Sequence, residues 1–296
     1  MAPSDHNIWK LRAEQIRGRL NAIYARDIYY PVATLDWLWR KRGHVLRAKN
    51  KRRVQATCLP QVAWWDLFQR RKISLTKIRK SSGNVNLSEL AILAQAAAEC
   101  PAGTEIVEIG TFDGRTTVNL ALNAPPSCSI FTLDLPPHQP TRFQLEVGER
   151  QFVEKPSPGL WFRQCPPSMS SSARRITQLF GDSATFDWSN QYGKAGLVFV
   201  DGSHAYEYAC VDSITAMQLV TINGAVLWHD YGVWGGVTRA LEDLERTKNL
   251  GLRHIRGTSL VLWRALGADP VKAARHSKTK SRRSSSYTKM VLAALD

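Results

Sequence analysis

The sequence predicts an α/β fold: a doubly wound, mostly parallel sheet of seven strands behind a basic helical N-terminal region. Two observations carry this. Short apolar runs alternate with helical periodicity between residues 85 and 265, the pattern of a parallel sheet with helices on both faces. The first run, TEIVEIG, then empties into a turn holding Gly110 and Gly114 before a helical stretch. A strand delivered through glycines to a helix start leaves backbone amides and the helix dipole open to a ligand.

The elements follow in order. Residues 7–26 place Ile8, Leu11, Ile16, Leu20 and Ile23 at helical intervals, Pro31 and Pro60 limit what comes next, and residues 32–48 and 62–79 read as two further helices. Ser81, Ser82, Gly83 and Asn84 read as a linker, so a basic, Trp-rich region is expected at 1–80 and the main domain at 81–267. Residues 87–100 form a good helix with Ser88 as its expected cap, broken by Pro101 and Gly103. Strands are expected at 104–109, 129–134, 176–180, 196–201, 224–229, 252–257 and 260–264, and helices at 115–123, 205–221 and 236–249. The stretch 136–173 is too long for a neutral loop and is expected to cover a substrate. The Ser-, Lys- and Arg-rich tail at 268–296 reads as disordered, with a short helix at 287–295.

The glycine turn narrows the cofactor. It reads G-T-F-D-G-R, one glycine short of the G-x-G-x-x-G dinucleotide fingerprint and with Glu108 just before it, which favours a nucleotide-like cofactor without a pyrophosphate. Asp134 ends the second strand twenty residues beyond Gly114, where a carboxylate can accept both hydroxyls of a ribose.

Charge is unevenly placed. The net +15 divides into 19 Lys/Arg against 5 Asp/Glu in residues 1–80, 14 against 18 in 81–267, and 7 against 2 in 268–296. Half of the ten tryptophans (Trp9, Trp37, Trp39, Trp64 and Trp65) lie in the basic N-terminal region. Cations beside Trp suit an anionic membrane surface, nucleic acid, or a charged helical hairpin packed on the core through its rings. No run reaches eighteen apolar residues and the first residues lack a signal-peptide block, so a cytoplasmic, membrane-peripheral location is expected. Five widely spaced cysteines suggest neither a disulfide framework nor a zinc site.

Two more strand ends carry ionisable groups. GLVFVDGSHAYEYACVDS ends a strand at Asp201 and presents His204 at a helix start, and GAVLWHDYGVWGG ends another at His229 and Asp230. In open α/β sheets ligands bind beyond the carboxyl ends of the strands, so Glu108, Asp134, Asp201, His204, His229 and Asp230 should converge on one crevice. Asp201 and Asp230 are alternatively helix caps. Tyr206, Tyr208, Trp228, Tyr231 and Trp234 could stack on a substrate, although packing is the commoner role of such rings.

These residues carry a family resemblance. EIGTFDGRTT, LDLPP, FGDSA, the DGSHAYE element and LWHDYGVWGGV resemble a class I S-adenosylmethionine-dependent methyltransferase with a Rossmann-like fold, specifically the group of small-molecule and sugar O-methyltransferases related to macrolide-sugar methylating enzymes. The resemblance spans residues 85–265. It implies that Glu108, Gly110, Thr111 and Gly114 hold the methionine end of the cofactor, that Asp134 takes the ribose, and that Asp182 and Ser183 contact the adenine. It further implies Asp201, Asp230 and His229 at a Mg²⁺ site, with His204 as general base and Asp201 beside it. An imidazole with an ordinary pKa near ~6.5 can accept a proton at neutral pH. His229 departs from the pattern, because imidazole is a poorer Mg²⁺ ligand than oxygen.

The expected activity is methyl transfer to a hydroxyl oxygen of a sugar, glycan or other polyol-bearing metabolite. The rivals are a nucleic-acid methyltransferase, which lacks an N-P-P-Y-like tetrapeptide here, and a catalytically inactive protein that binds the cofactor and docks on membrane. A nicotinamide-dependent oxidoreductase is disfavoured by the missing glycine.

Overall fold

A computed structural model describes residues 57–77, 83, 85–154 and 158–265. The expected helices at 7–26, 32–48 and 287–295, and the linker residues other than Gly83, lie outside these.

The described residues build one sheet between two helical layers. In chain order they form β1 (Gln61–Val62), α1 (Trp64–Leu67), α2 (Leu87–Ala98), β2 (Glu105–Ile109), α3 (Arg115–Asn123) and β3 (Ser129–Asp134). Short helices α4 (Arg150–Val153), α5 (Leu160–Arg163) and α6 (Ser170–Ala173) precede β4 (Ile176–Phe180) and β5 (Ala195–Val200). Then come α7 (Tyr206–Leu219), β6 (Val220–Trp228), α8 (Gly235–Lys248), β7 (Arg253–Ile255) and β8 (Val261–Arg264). The strand order is β1-β7-β8-β6-β5-β2-β3-β4, with β8 antiparallel to both neighbours and the remaining pairs parallel.

The pleat divides the core. Ile106, Leu197, Phe199 and Leu227 face one layer with α2 and α3, while Val107, Val198, Val200 and Val226 face the other with α7 and α8. β5 is buried at every residue, as a central parallel strand must be, which is why its sequence is an unbroken apolar run. The chain leaves β2 toward β3 and β4 on one side and toward β5 and β6 on the other, so the carboxyl ends of β2 and β5 bound a crevice at the point where the winding reverses.

Three expectations change. The sheet has eight strands, because Gln61 and Val62 pair with His254 and Ile255 of β7. Residues 62–79 do not form one helix: α1 is a single turn, and the chain beyond it runs extended along α3. There Ser74 N donates to Asn123 Oδ1 (2.8 Å) and Thr76 N to Asn119 Oδ1 (2.8 Å), so tertiary partners replace i→i−4 bonds. Phe68, Ile73 and Leu75 are buried in the same core cluster as Ile106 and Leu227. Finally, Asn86 rather than Ser88 caps α2, in a capping box with Glu89.

Candidate functional site

A cavity of about 960 Å³ opens at the carboxyl ends of β2, β3, β4 and β5. Of the residues singled out in the sequence, Gly110, Thr111, Asp134, Asp182, Ser183, Asp201 and His204 line it. Gly110 is required by the crevice itself. Its φ is +100°, and a Cβ there would lie 2.0 Å from the Asp201 carbonyl oxygen, so no side chain fits between β2 and β5.

Glu108 and Gly114 do not line the cavity. Gly114 has φ +81° and starts α3, and a Cβ on it would meet the Phe162 ring at 2.7 Å. The segment 136–173 is strapped onto this same turn, since Gly159 N donates to Phe112 O (2.8 Å) and Trp161 N to Asp113 O (2.9 Å). It also supplies Thr141, Leu145, Glu149, Phe152 and Val153 to the cavity wall.

Glu108 is wholly buried behind that wall. Its Oε2 accepts from Thr132 Oγ1 (2.6 Å) and from Thr117 Oγ1. Thr132 Oγ1 lies 2.7 Å from Thr111 Oγ1. Because the Thr132 proton is committed to Glu108, Thr111 is the donor of that second bond, and its free lone pairs remain for the cavity. Burial pushes the Glu108 carboxyl up to about 8, against the two threonine bonds and with help from Asp201 and Asp134. At neutral pH it is mostly uncharged, one layer behind the position the resemblance implied.

Asp134 and Asp182 are fixed acceptors. Asp134 accepts from Phe112 N (2.7 Å) and Leu135 N (2.9 Å). Asp182 accepts from Arg142 N (2.6 Å), Tyr208 OH (2.6 Å) and Ala184 N (2.9 Å). Of the five aromatic residues considered, Tyr208 alone lines the cavity, while Trp234 stacks on His204 at 4.2 Å between ring centroids. Tyr231 and Trp228 bond elsewhere, to the 58–59 backbone and to Ser213.

The deepest part of the site is a buried string of alternating acids and imidazoles. His229 Nε2 lies 3.1 Å from Glu89 Oε2, and its Nδ1 lies 3.0 Å from Asp201 Oδ1 and 3.3 Å from Asp230 Oδ2. His204 Nε2 lies 2.8 Å from the same Asp230 oxygen, and its Nδ1 lies 3.2 Å from Glu149 Oε1. Glu149 is held in turn by the backbone N of His204 (2.7 Å) and by Ser203 Oγ (3.1 Å). Asp230 has φ +65°, an uncommon conformation for a residue with a side chain and a mark of functional sites.

This string reverses the expectation for His204. Burial would lower its pKa, but Asp230 and Glu149 outweigh burial and push it up to about 9, so the resting form at neutral pH is the imidazolium. Burial would likewise lower His229, yet Asp230, Asp201 and Glu89 hold it well above the ordinary range. Burial alone would raise Asp230, and the two imidazoles hold it well below the usual carboxylate range. Four carboxylates against two imidazoles leave surplus negative charge in a buried place, which is costly unless a cation offsets it.

Asp201, His229 and Asp230 present one ligand atom each within 4.8 Å of one another. A small second cavity lies among them and His204. His229 Nδ1 and Asp230 Oδ2 are buried and 3.3 Å apart, and Asp201 Oδ1 and His204 Nε2 lie 3.0 and 2.8 Å from them respectively. The donor set therefore fits a divalent cation. Glu89 and Glu149 were missed by the sequence reading; Glu89 sat in a helix that looked merely structural, and Glu149 in a segment without periodicity.

Residues 107–231 match the family model of a methyltransferase domain. No curated protein matches the chain in sequence. Among solved structures, it resembles the O-methyltransferase TomG from Streptomyces achromogenes, involved in tomaymycin synthesis and determined with SAM, at 19% identity and TM-score 0.44, over 62% of this chain and 82% of that one. It also resembles an O-methyltransferase from Bacillus cereus in complex with SAH, at 14% identity and TM-score 0.41, over 63% of this chain and 84% of that one. A third is the O-methyltransferase NovP, at 14% identity and TM-score 0.45, over 64% of this chain and 84% of that one.

Proposed function

We propose that this protein is an S-adenosylmethionine-dependent O-methyltransferase whose acceptor is a hydroxyl of a sugar, glycan or similar small polyol-bearing molecule. The observation that carries the cofactor is the charge of the cavity wall, which lies over the glycine crevice and within the matched methyltransferase domain. Asp113, Asp134, Glu149, Asp182 and Asp201 line it. Among the described residues, Arg115 is the one arginine in the wall, and its guanidinium is engaged by Lys77 O (3.0 Å) and Val85 O (2.7 Å). Such a wall suits a cofactor carrying a sulfonium and an ammonium and repels a pyrophosphate.

When bound, S-adenosylmethionine supplies a methyl group on a positive sulfur that leaves as a neutral thioether once the oxygen–carbon bond forms. Asp134 is placed for the ribose, Asp182 and Ser183 for the adenine, and the Thr111 lone pairs for a donor at the methionine end. The hydroxyl proton goes to His204 in the neutral form, a minor fraction at neutral pH that grows as pH rises toward about 9, and Asp230 and Glu149 stabilise the imidazolium that results. Trp234, stacked flat on the ring, fixes its plane. Asp201, His229 and Asp230 would hold a divalent cation, which when bound polarises the acceptor oxygen. Segment 136–173 shapes the acceptor pocket through Thr141, Leu145, Phe152 and Val153.

The basic region before residue 57 is assigned to docking on an anionic membrane surface, on the strength of 13 Lys/Arg against 4 Asp/Glu in residues 1–56. No helix among the described residues is long and apolar enough to cross a membrane. The activity is tested by incubating the protein with radiolabelled S-adenosylmethionine and a panel of sugars and polyols. Label transferred to a hydroxyl supports the assignment; label transferred only to nucleic acid, or to nothing while the cofactor binds, refutes it.

A further inference from the structure

Glu89 stands 140 positions from His229 in the sequence, yet its carboxylate meets the imidazole inside the fold. Its Oε1 accepts from Ser259 N (2.8 Å) and Ser259 Oγ (2.9 Å), and its Oε2 accepts from Asn86 N (2.9 Å) as well as facing His229 Nε2 (3.1 Å). A carboxylate pinned by three protein donors is a fixed acceptor, and it places the ring proton of His229 on Nε2. Once a cation displaces the proton that Nδ1 shares with Asp201, its lone pair faces Asp201 and Asp230. A carboxylate behind a histidine in this way fixes the tautomer and ring orientation of a metal ligand.

Two of the three separations among the facing atoms are compatible with a shared ion. Two ligand atoms each about 2.1 Å from a metal are separated by about 3.0 Å at a right angle and about 3.4 Å at the tetrahedral angle. The observed separations from His229 Nδ1 are 3.0 Å to Asp201 Oδ1 and 3.3 Å to Asp230 Oδ2. His229 is 3% exposed, and the groups that face its Nδ1 are these two carboxylates. The donor chemistry narrows the ion further. One imidazole with two carboxylates suits first-row transition dications, whereas Mg²⁺ prefers oxygen throughout and gives up its waters reluctantly.

We propose that Asp201, His229 and Asp230 select a first-row transition dication of the Mn²⁺, Co²⁺ and Zn²⁺ class over Mg²⁺, and that Glu89 is the positioning residue that turns His229 Nδ1 toward it. This rests on the divalent site assigned above and specifies its ion. The full-length protein, stripped of metal, is titrated with MnCl₂ and then with MgCl₂ as competitor. The Mn²⁺ complex is examined by pulsed electron paramagnetic resonance for modulation from a directly coordinated nitrogen. Wild type should bind Mn²⁺ at least tenfold more tightly than Mg²⁺ and show that nitrogen signal. Glu89→Gln should weaken Mn²⁺ by about 10- to 100-fold while changing S-adenosylmethionine affinity less than about twofold.

Absence of Mn²⁺ binding, Mn²⁺ bound without a nitrogen ligand, or Mg²⁺ bound as tightly would overturn the proposed selectivity. Undiminished Mn²⁺ affinity in Glu89→Gln would remove Glu89 from the site. Should that variant fail to fold, the nitrogen signal and the Mn²⁺ to Mg²⁺ ratio of wild type still decide the metal assignment. Ser259→Ala, which removes one of the two bonds to Glu89 Oε1, then tests the positioning role by a smaller loss of Mn²⁺ affinity. Titration of the same sample with S-adenosylmethionine separates the two readings. Mn²⁺ held through nitrogen by a protein that never binds the cofactor supports the metal site and sinks the transferase.

Discussion

Glu108→Gln should make the protein less sensitive to alkaline pH. The Glu108 carboxyl is raised from 4.5 to about 8, so the folded state holds its proton across a range where the unfolded chain has lost it. Where the native state binds more protons, stability falls as pH rises. The contribution is fully present below pH 4.5, declines through the interval, and is lost above about 8. A shift of 3.5 units at about 1.4 kcal/mol each amounts to about 5 kcal/mol, an upper bound for a buried group. Glutamine keeps an oxygen for Thr117 and Thr132 and has nothing to titrate. Asp212, which burial pushes up to about 7, gives both proteins a similar slope and cancels in the difference. Denaturant unfolding at pH 5 and pH 9 should therefore show wild type losing several kcal/mol more than the variant. Equal losses would mean that Glu108 is ionised in the fold, and would return it to the charged cofactor-facing role that the sequence implied.

Three further outcomes follow from the same geometry. Gly110→Ala places a Cβ against the Asp201 carbonyl at positive φ, and should cost about 2–5 kcal/mol of stability in chemical denaturation and abolish cofactor binding; a variant that binds normally would show the crevice to be loose. His204→Ala should lower the rate constant for methyl transfer by about 10²- to 10⁴-fold with cofactor affinity nearly unchanged, and a fully active variant would remove His204 from the mechanism. Deleting residues 1–56 should leave the melting temperature near wild type and weaken binding to phosphatidylserine vesicles, whereas deleting 1–80 should unfold the protein. The second deletion removes β1 and the buried Phe68, Ile73 and Leu75, about 5–9 kcal/mol of burial and comparable to the whole stability of a domain. Vesicle binding that survives loss of residues 1–56 would rule out membrane docking by that region.

The parts of the fold legible in the sequence were those with strong local signals. β3, β4 and α3 have the expected boundaries because apolar runs and glycine or proline stops coincide there. The 62–79 stretch misled because its hydrophobic residues satisfied a helical reading, while Asn119 and Asn123, 43 and 49 residues away, in fact accept from its backbone amides. The Ile73 and Leu75 alternation was the signal that could have corrected it.

Site residues at strand ends were legible for a similar reason: a charged residue closing an apolar run has no place in a core. Asp134, Asp201, His229 and Asp230 were singled out that way, and His204 by its place at the start of a helix. Glu89 and Glu149 were not, because their meaning comes from pairing at long range with His229 and His204. The His204 pKa was misjudged for the same reason, since two unforeseen or unplaced carboxylates determine it.

Calorimetric titration of the purified protein with S-adenosylmethionine, and separately with NAD, decides whether the acid-walled crevice holds S-adenosylmethionine. The expected result is one molecule of S-adenosylmethionine bound per chain at micromolar affinity and no heat from NAD. Binding of NAD instead, or of neither with or without a divalent ion, would contradict the account.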